Sequence, residues 1–168
     1  NSVIDPFPPP IAGDVEQAPP LPPAGSAVRI SARVTGRDGD AMTSVILRYR
    51  NVNTGGQPWT DVAMVDDGSM GDDLAGDGVY TTMIPTNGAP QMQEGNVIEF
   101  TITPTDLVGS QTFPAINRAE RTHGSISYLC KFGEDTHSDV AYPGEYDTFH
   151  ALMTSANEAS LHGTFFTD

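Results

Sequence analysis

Five aspartates within one short stretch are the residues of this chain whose types and spacing are best suited to chemistry. They are Asp66, Asp67, Asp72, Asp73 and Asp77, and four glycines lie among them in the run DDGSMGDDLAGDG. Hard cations such as Ca²⁺ bind six to eight oxygen atoms, and glycine lets a loop fold tightly enough to turn carboxylates inward. The sequence therefore predicts a calcium site in this loop, with these five side chains as candidate ligands.

The same aspartates have a second interpretation that needs no metal. Aspartates in turns accept hydrogen bonds from nearby backbone amides and tolerate left-handed backbone geometry. The spacing also departs from the helix-loop-helix calcium pattern, in which aspartates alternate before a glycine and a glutamate ends the loop. A cation site and pure turn chemistry both stay open at this level.

Other metal-binding and nucleophilic side chains are few. The histidines His123, His137, His150 and His162 all lie in the last third of the chain, without the i, i+4 spacing of a helical zinc motif. Cys130 is the single cysteine, which excludes an internal disulfide. It lies in the apolar run ISYLCKF, so we expect a buried thiol and not a nucleophile. The sequence has no phosphate-binding glycine loop and no Gly-x-Ser-x-Gly motif, and we expect no enzymatic activity.

The charge of the chain limits its partners. Acidic residues number 22 against 8 basic ones, which gives a formal net charge of −14. Nucleic acids and anionic membrane surfaces are bound through Lys and Arg, so we expect neither as a partner. No apolar run approaches the ~20 residues of a membrane span. Because the chain begins with Asn1, as after removal of an export signal or excision from a longer chain, we expect a secreted or cell-surface location.

Period-two alternation of apolar and polar residues predicts the strands that position the acidic loop. The predicted strands cover residues 28–34, 45–50, 59–64, 79–84 and 97–103, and residues 111–115 are a candidate sixth. Glycine-rich turns separate them, and no helical periodicity lies between them. This pattern favours an all-β antiparallel sandwich over alternating strands and helices. The acidic loop would connect the third strand to the fourth.

Two segments flank the predicted sandwich of residues 26–116. Residues 1–25 are rich in proline, so they cannot form a helix and can join a sheet only at its edge. They are either a stiff linker to a neighbouring domain or an arm that packs on another subunit. Residues 117–168 contain enough apolar residues near Tyr128 for one strand. A capping-box spacing from Ser155 to Glu158 predicts a short helix that ends at Gly163.

The chain also resembles known modules in its central part. The run VDDGSMGDDLAGDGVYTTMIP, followed by EGNVIEFTITPTDLVG, resembles the fibronectin type III- or immunoglobulin-like modules of large secreted bacterial proteins. The likeness covers about residues 27–116, and the strands VILRYR and WTDVAM fit it. The stretch from Tyr128 to Leu161 resembles the lead-in to CotH-type kinase-like domains, with Phe149, Met153 and Thr154 at matching positions. The resemblance places the phosphotransfer residues of that family further downstream, so we do not expect this chain alone to be a kinase.

These features together predict a non-catalytic extracellular structural or interaction module. Its expected partners are neighbouring domains or further copies of itself, bound through residues 1–25, and Ca²⁺ is its one expected cofactor. A second hypothesis is a carbohydrate- or ligand-binding accessory module of a larger secreted, CotH kinase-like protein, with Tyr49, Trp59 and Tyr80 as an aromatic platform. Aromatic residues in the strands of a small sandwich usually fill its core, which favours the first hypothesis.

Overall fold

The computed structural model describes residues 9–36, 39–53, 58–85, 91–115 and 127–133. Within these ranges, seven strands form two antiparallel sheets. The strands are β1 (Ile11–Ala18), β2 (Val28–Thr35), β3 (Ser44–Asn51), β4 (Thr60–Ala63), β5 (Val79–Ile84), β6 (Val97–Thr105) and β7 (Tyr128–Lys131). Side chains from both sheets share a single apolar core, so the predicted all-β antiparallel sandwich is confirmed.

The order of the strands differs between the two sheets. The first sheet has the order β1-β2-β5, and the second has the order β4-β3-β6-β7. In the second sheet β3 and β6 pair without interruption, from Ser44 opposite Thr105 to Asn51 opposite Ile98. In the first sheet β2 is the central strand, and it pairs with β1 on one edge and with β5 on the other.

Alternation along each strand decides which side chains form the core, because successive side chains of a strand point to opposite faces of its sheet. In β2 the side chains of Val28 and Ile30 are fully buried, whereas Arg29 and Arg33 lie on the outer face. The second sheet follows the same rule. The largest fully buried apolar side chains are Phe100, Phe132, Ile30, Leu47, Ile84, Ile98, Ile102, Val28 and Val45.

The five strands expected from alternation correspond to β2–β6, and the candidate sixth does not form a regular strand. Residues 111–115 contribute only an isolated bridge, between Phe113 and Ile102, and Ser110 just before them forms another with Thr105. Pro114 follows immediately and has no amide hydrogen to donate, so the ladder cannot continue through it.

The segments on either side of the predicted sandwich each contribute a strand. β1 comes from residues 1–25 and lies at the edge of the first sheet, with Pro10 before it and Pro19 after it. β7 comes from the segment after residue 116 and lies at the edge of the second sheet. Outside the described ranges lie the helix predicted from Ser155, the four histidines, and the residues beyond Gly133 that match the CotH lead-in. In the described part of the chain, no helix is long and apolar enough to cross a membrane.

The shared core predicts that replacing one of two leucines by alanine lowers the free energy of unfolding far more than replacing the other. Leu47 is fully buried between the sheets, whereas Leu107 is 93% exposed. We expect Leu47→Ala to lower the free energy of unfolding by about 2–5 kcal/mol, since it removes buried methyl groups and leaves a cavity. Leu107→Ala is the control and should change it by less than about 0.5 kcal/mol. Urea unfolding of both variants checks this, and similar losses in the two would contradict the described core.

Candidate cation site in the acidic loop

The acidic loop, residues 66–78, connects β4 in the second sheet to β5 in the first. Its base is closed by a bridge between Val65 and Thr81. The amide of Val65 donates to the Thr81 carbonyl over 2.9 Å, and the amide of Thr81 donates to the Val65 carbonyl over 2.8 Å. Both ends of the loop are therefore held at the free edge of β5.

Asp66 fixes the path of the loop through its carboxylate. One oxygen, Oδ1, accepts hydrogen bonds from the amides of Gly76 at 2.7 Å and Asp77 at 3.2 Å. The other oxygen, Oδ2, accepts from the amide of Gly78 at 3.0 Å. Three backbone donors therefore converge on one side chain, which is the turn chemistry that aspartate provides.

Asp72 lies deeper than the other aspartates of the loop, with only 8% of its surface exposed. Its Oδ2 accepts from the amide of Gly68 at 2.7 Å, and its Oδ1 has a long contact of 3.4 Å from the amide of Leu74. Asp77 accepts from the amide of Val79 at 2.8 Å through Oδ1. The backbone thus sets the orientation of both carboxylates.

Three of the five predicted ligands come together. Asp66, Asp72 and Asp77 each place one carboxylate oxygen within 4.8 Å of the other two. Any two oxygens bound to one Ca²⁺ ion at 2.3–2.6 Å lie no more than about 5.2 Å apart. Separations of 4.8 Å or less are therefore compatible with a shared calcium ion.

The structure does not bring Asp67 and Asp73 into this group. Oδ1 of Asp67 accepts hydrogen bonds from the amide of Ser69 at 2.9 Å and from its hydroxyl at 2.5 Å. Asp73 is highly exposed and forms an ion pair with Arg29 at 3.2 Å. Each of these two side chains has a local partner of its own, away from the convergent carboxylates.

Two arginines on the outer face of β2 hold the loop against the first sheet. Nη1 of Arg29 donates to the Gly71 carbonyl at 2.9 Å, and Nη1 of Arg33 donates to the Asp77 carbonyl at 3.3 Å. Gly71 has a φ of +88°, and a Cβ at this position would lie 2.9 Å from Cδ of Arg29. Only glycine allows the loop to approach the arginine so closely.

A cavity of about 160 Å³ lies between the loop and the first sheet. Asp72 and Asp77 line it from the loop, and Glu16, Ser31 and Thr81 line it from the three strands. Four carboxylates and one guanidinium border the cavity in all. Its electrostatic potential is therefore negative, which favours a cation over an anion.

Glu16 and Thr81 were not singled out by the sequence, because only strand pairing brings them together. Ser31 of β2 is opposite Glu16 of β1 on one side and opposite Thr81 of β5 on the other. Thr81 lies in a strand predicted by alternation, but Glu16 lies in the proline-rich segment, where no strand was predicted. The pattern of one strand does not report which residue of another strand lies beside it.

The three aromatic residues considered for a platform have different surroundings. Tyr49 is buried in the core, and Tyr80 is half-buried against it. The guanidinium carbon of Arg50 lies 4.5 Å from the ring centre of Trp59 and covers one face of the indole. The acidic loop is thus the better basis for a functional argument.

Cys130 is fully buried in β7, opposite Ile98 of β6. Burial raises the pKa of its thiol to about 12. The thiolate is the reactive form of cysteine, so a thiol in this environment is inert at neutral pH.

In comparisons with known proteins, no protein-family model and no curated protein matches this chain. The likeness to fibronectin type III-like modules and to the CotH lead-in therefore depends on sequence motifs alone. The acidic loop, by contrast, has a geometry that the structure describes.

The burial of Cys130 predicts that its thiol reacts slowly in the folded protein. We expect a thiol reagent at pH 8 to modify the native protein at least about 100-fold more slowly than the urea-unfolded protein, because burial disfavours the thiolate and blocks access. The folded pKa is raised, so the thiol's contribution to the free energy of unfolding is complete below pH 9.0 and declines as the pH rises toward about 12. Equal modification rates before and after unfolding would contradict the described position of β7.

Proposed function

We propose that this chain is a non-catalytic, extracellular β-sandwich module whose acidic loop binds Ca²⁺ through Asp66, Asp72 and Asp77. The observation that carries the proposal is the convergence of three carboxylates within 4.8 Å beside a negatively charged cavity. The sheet orders β1-β2-β5 and β4-β3-β6-β7 support a fibronectin type III-like or immunoglobulin-like origin.

The turn hydrogen bonds of the loop are compatible with a bound cation. A carboxylate has about four lone-pair positions, and the backbone amides use only some of them. The amides therefore hold the carboxylates in place while acceptor capacity remains. Each pair of negative charges at this spacing repels by about 1 kcal/mol in water-like surroundings. A divalent ion bound between the carboxylates attracts each of them, and this attraction outweighs their mutual repulsion.

The exposure of the site favours weak binding over tight binding. Mg²⁺ gives up its water ligands reluctantly and needs near-ideal octahedral geometry, which favours Ca²⁺ at an open site of this kind. Asp77 is exposed and Asp66 is partly exposed, so solvent reaches the site. Sites of this open kind on extracellular proteins bind Ca²⁺ with a Kd of about 10⁻⁴–10⁻³ M, which matches calcium concentrations outside cells.

Calorimetric titration with Ca²⁺ tests this site through Asp77→Asn. Asparagine keeps Oδ1 as an acceptor for the Val79 amide and removes only the charge, so the loop should keep its shape. We expect the Kd for Ca²⁺ to rise at least about tenfold.

The matched control is Asp67→Asn, in the same loop. Asp67 accepts from Ser69 and lies outside the group of three, so its replacement should change the Kd by less than about threefold. The absence of binding by the unaltered protein at 5–10 mM Ca²⁺, roughly ten times the weakest Kd expected, would refute the proposed site. Equal effects of the two variants on the Kd would indicate that Ca²⁺ is attracted by the overall negative charge of the loop and is not bound at one site.

The interaction role is proposed for the segment of residues 1–25. β1 belongs to this segment, and among the described residues only β2 pairs with it, so the backbone groups of its other edge can pair with another chain. Ile11, at the start of β1, is 58% exposed. A further copy of this chain that pairs a different strand edge with β1 would build an open assembly, because the two partners then use different patches.

Light scattering over a range of concentrations tests the assembly. We expect Ile11→Lys to shift multimers toward monomers, since a lysine on an edge strand opposes further strand pairing. Leu107→Lys introduces the same charge at another exposed apolar position and should leave the mass unchanged. A monomer at every concentration for the unaltered chain would refute self-assembly and leave the calcium site standing.

A further inference from the structure

The edge strand β1 is attached to the sandwich by few buried side chains. Of its eight residues only Ala12 is buried, together with Pro10 just before the strand, and Val15 packs partly against the core. Its neighbour β2 buries five of its eight side chains. A segment with few buried apolar contacts opens at a low cost in free energy. β1 is therefore the strand of the first sheet that separates most easily while the rest of the core stays packed.

The backbone pairing between β1 and β2 is also interrupted. The register shifts between Gly13 and Glu16, so that three residue pairs lie on each side of the shift, and Asp14 at this point has a φ of +46°. The ion pair from Arg33 to Asp14, at 3.7 Å, joins two exposed side chains and holds this point only weakly. Two short runs of pairs hold β1 less firmly than one continuous ladder would.

The connection from β1 to β2 is fixed to the sandwich in its second half and not in its first. Pro22 is fully buried, and its carbonyl accepts a hydrogen bond from the amide of Gly133 at 2.8 Å. The amide of Gly25 donates to the carbonyl of Met92 at 2.7 Å. Residues 19–21, which we call the hinge, remain as the part of the connection in which the chain can change direction.

The sequence around the hinge favours an extended chain. Residues 19–23 are PPLPP, and prolines favour the extended polyproline conformation because each fixes its φ. Yet β1 and β2 are antiparallel, so the chain has to reverse direction between them. The side chain of Gln17 supports this reversal by donating through Nε2 to the carbonyl of Pro20 at 2.6 Å. With the hinge extended, β1 would instead point away from its own sheet.

We infer that β1 is exchanged between copies of this chain, so that the β1 of one copy pairs with the β2 of another in the register that it has with its own β2. This inference rests on the proposed joining of copies through residues 1–25 and names the strand of the second copy that receives β1. The exchange keeps every contact between β1 and β2 and changes only the hinge, which is why exchanging an identical element costs little free energy. A mutual exchange closes a dimer, whereas passing each β1 on to the next copy builds an open chain.

A pair of cysteines shows which β2 holds each β1. Ile11 and Thr35 are opposite each other in the two strands, and both are exposed. The Cα atoms of such partners are about 4.5–5.5 Å apart, within the range of about 4.4–6.8 Å that a disulfide spans. We expect oxidation of multimers of the Ile11→Cys/Thr35→Cys variant to join different chains. Isotope-labelled and unlabelled chains, mixed before assembly and mapped by mass spectrometry, would show the 11–35 link between one of each.

The same variant can be locked before it assembles. Oxidation of the dilute monomer should join residues 11 and 35 within one chain, so β1 can no longer leave its own β2. We expect the locked protein to remain a monomer at concentrations at which the reduced protein, its matched control, forms multimers. Cys130 is fully buried and does not compete for these disulfides.

A second pair of variants tests the hinge without any cysteine. Gln17→Ala removes the hydrogen bond to Pro20 that supports the closed hinge, so we expect the association constant measured by light scattering to rise about two- to tenfold. Ser26→Ala is the control, because the Ser26 hydroxyl donates to the carbonyl of Pro23 at 2.6 Å in the fixed half of the connection. Its association constant should change by less than about twofold.

The outcomes separate this inference from the proposal on which it rests. Multimers in which the 11–35 disulfide stays within each chain, or a locked protein that still assembles, would overturn the exchange and leave joining through the free edge of β1. An association constant that Gln17→Ala leaves unchanged or lowers would also contradict the exchange. A monomer at every concentration for the unaltered chain would overturn both the exchange and the proposed self-assembly.

Discussion

The register of β2 is the constraint on which the rest of the described structure depends. Its inner face places Val28, Ile30 and other apolar side chains in the core, and its outer face presents Arg29 and Arg33 to the acidic loop. Because side chains alternate along a strand, a slip by one residue would move the guanidinium groups into the core and the apolar side chains to the surface. The same register aligns β1 and β5 on either side of Ser31. The position of the candidate site is thus a consequence of how the core is packed.

Much of the fold follows from local patterns, and the exceptions have physical reasons. β2, β3 and β6 could be predicted because one face of each is buried and the other is polar, which gives a clear period of two. β1 could not be predicted in this way, since Gly13 and the left-handed Asp14 interrupt its alternation and prolines lie on both sides of it. Residues 111–115 are the opposite case, a candidate strand that does not form. Their apolar content is suitable for a strand, but Pro114 prevents a ladder. Edge segments carry the weakest signal, since only one side of each is paired.

Likewise, only part of the candidate site can be predicted from the sequence. The density of aspartate and glycine identifies the loop, but it does not tell which carboxylates converge. Asp66, Asp72 and Asp77 meet because the loop folds back on amides near its own end, whereas Asp67 turns to Ser69 and Asp73 turns to Arg29. Which carboxylates converge depends on glycines with left-handed backbone geometry and on contacts with β2. That strand lies far from the loop in the sequence. Glu16 and Thr81 come from still more distant segments.

The distribution of basic residues has a consequence for where a trypsin-like protease can cut this protein. The basic residues that the structure describes are Arg29 and Arg33 in β2, Arg48 and Arg50 in β3, and Lys131 in β7. All of them lie inside hydrogen-bonded strands and none in a described loop. A trypsin-like protease needs an extended, unpaired segment to cut, so it reaches these five bonds only after a strand has separated from its sheet. Cleavage at them therefore reports the opening of the sandwich itself, while the long acidic loop, which contains neither lysine nor arginine, offers such a protease no bond to cut.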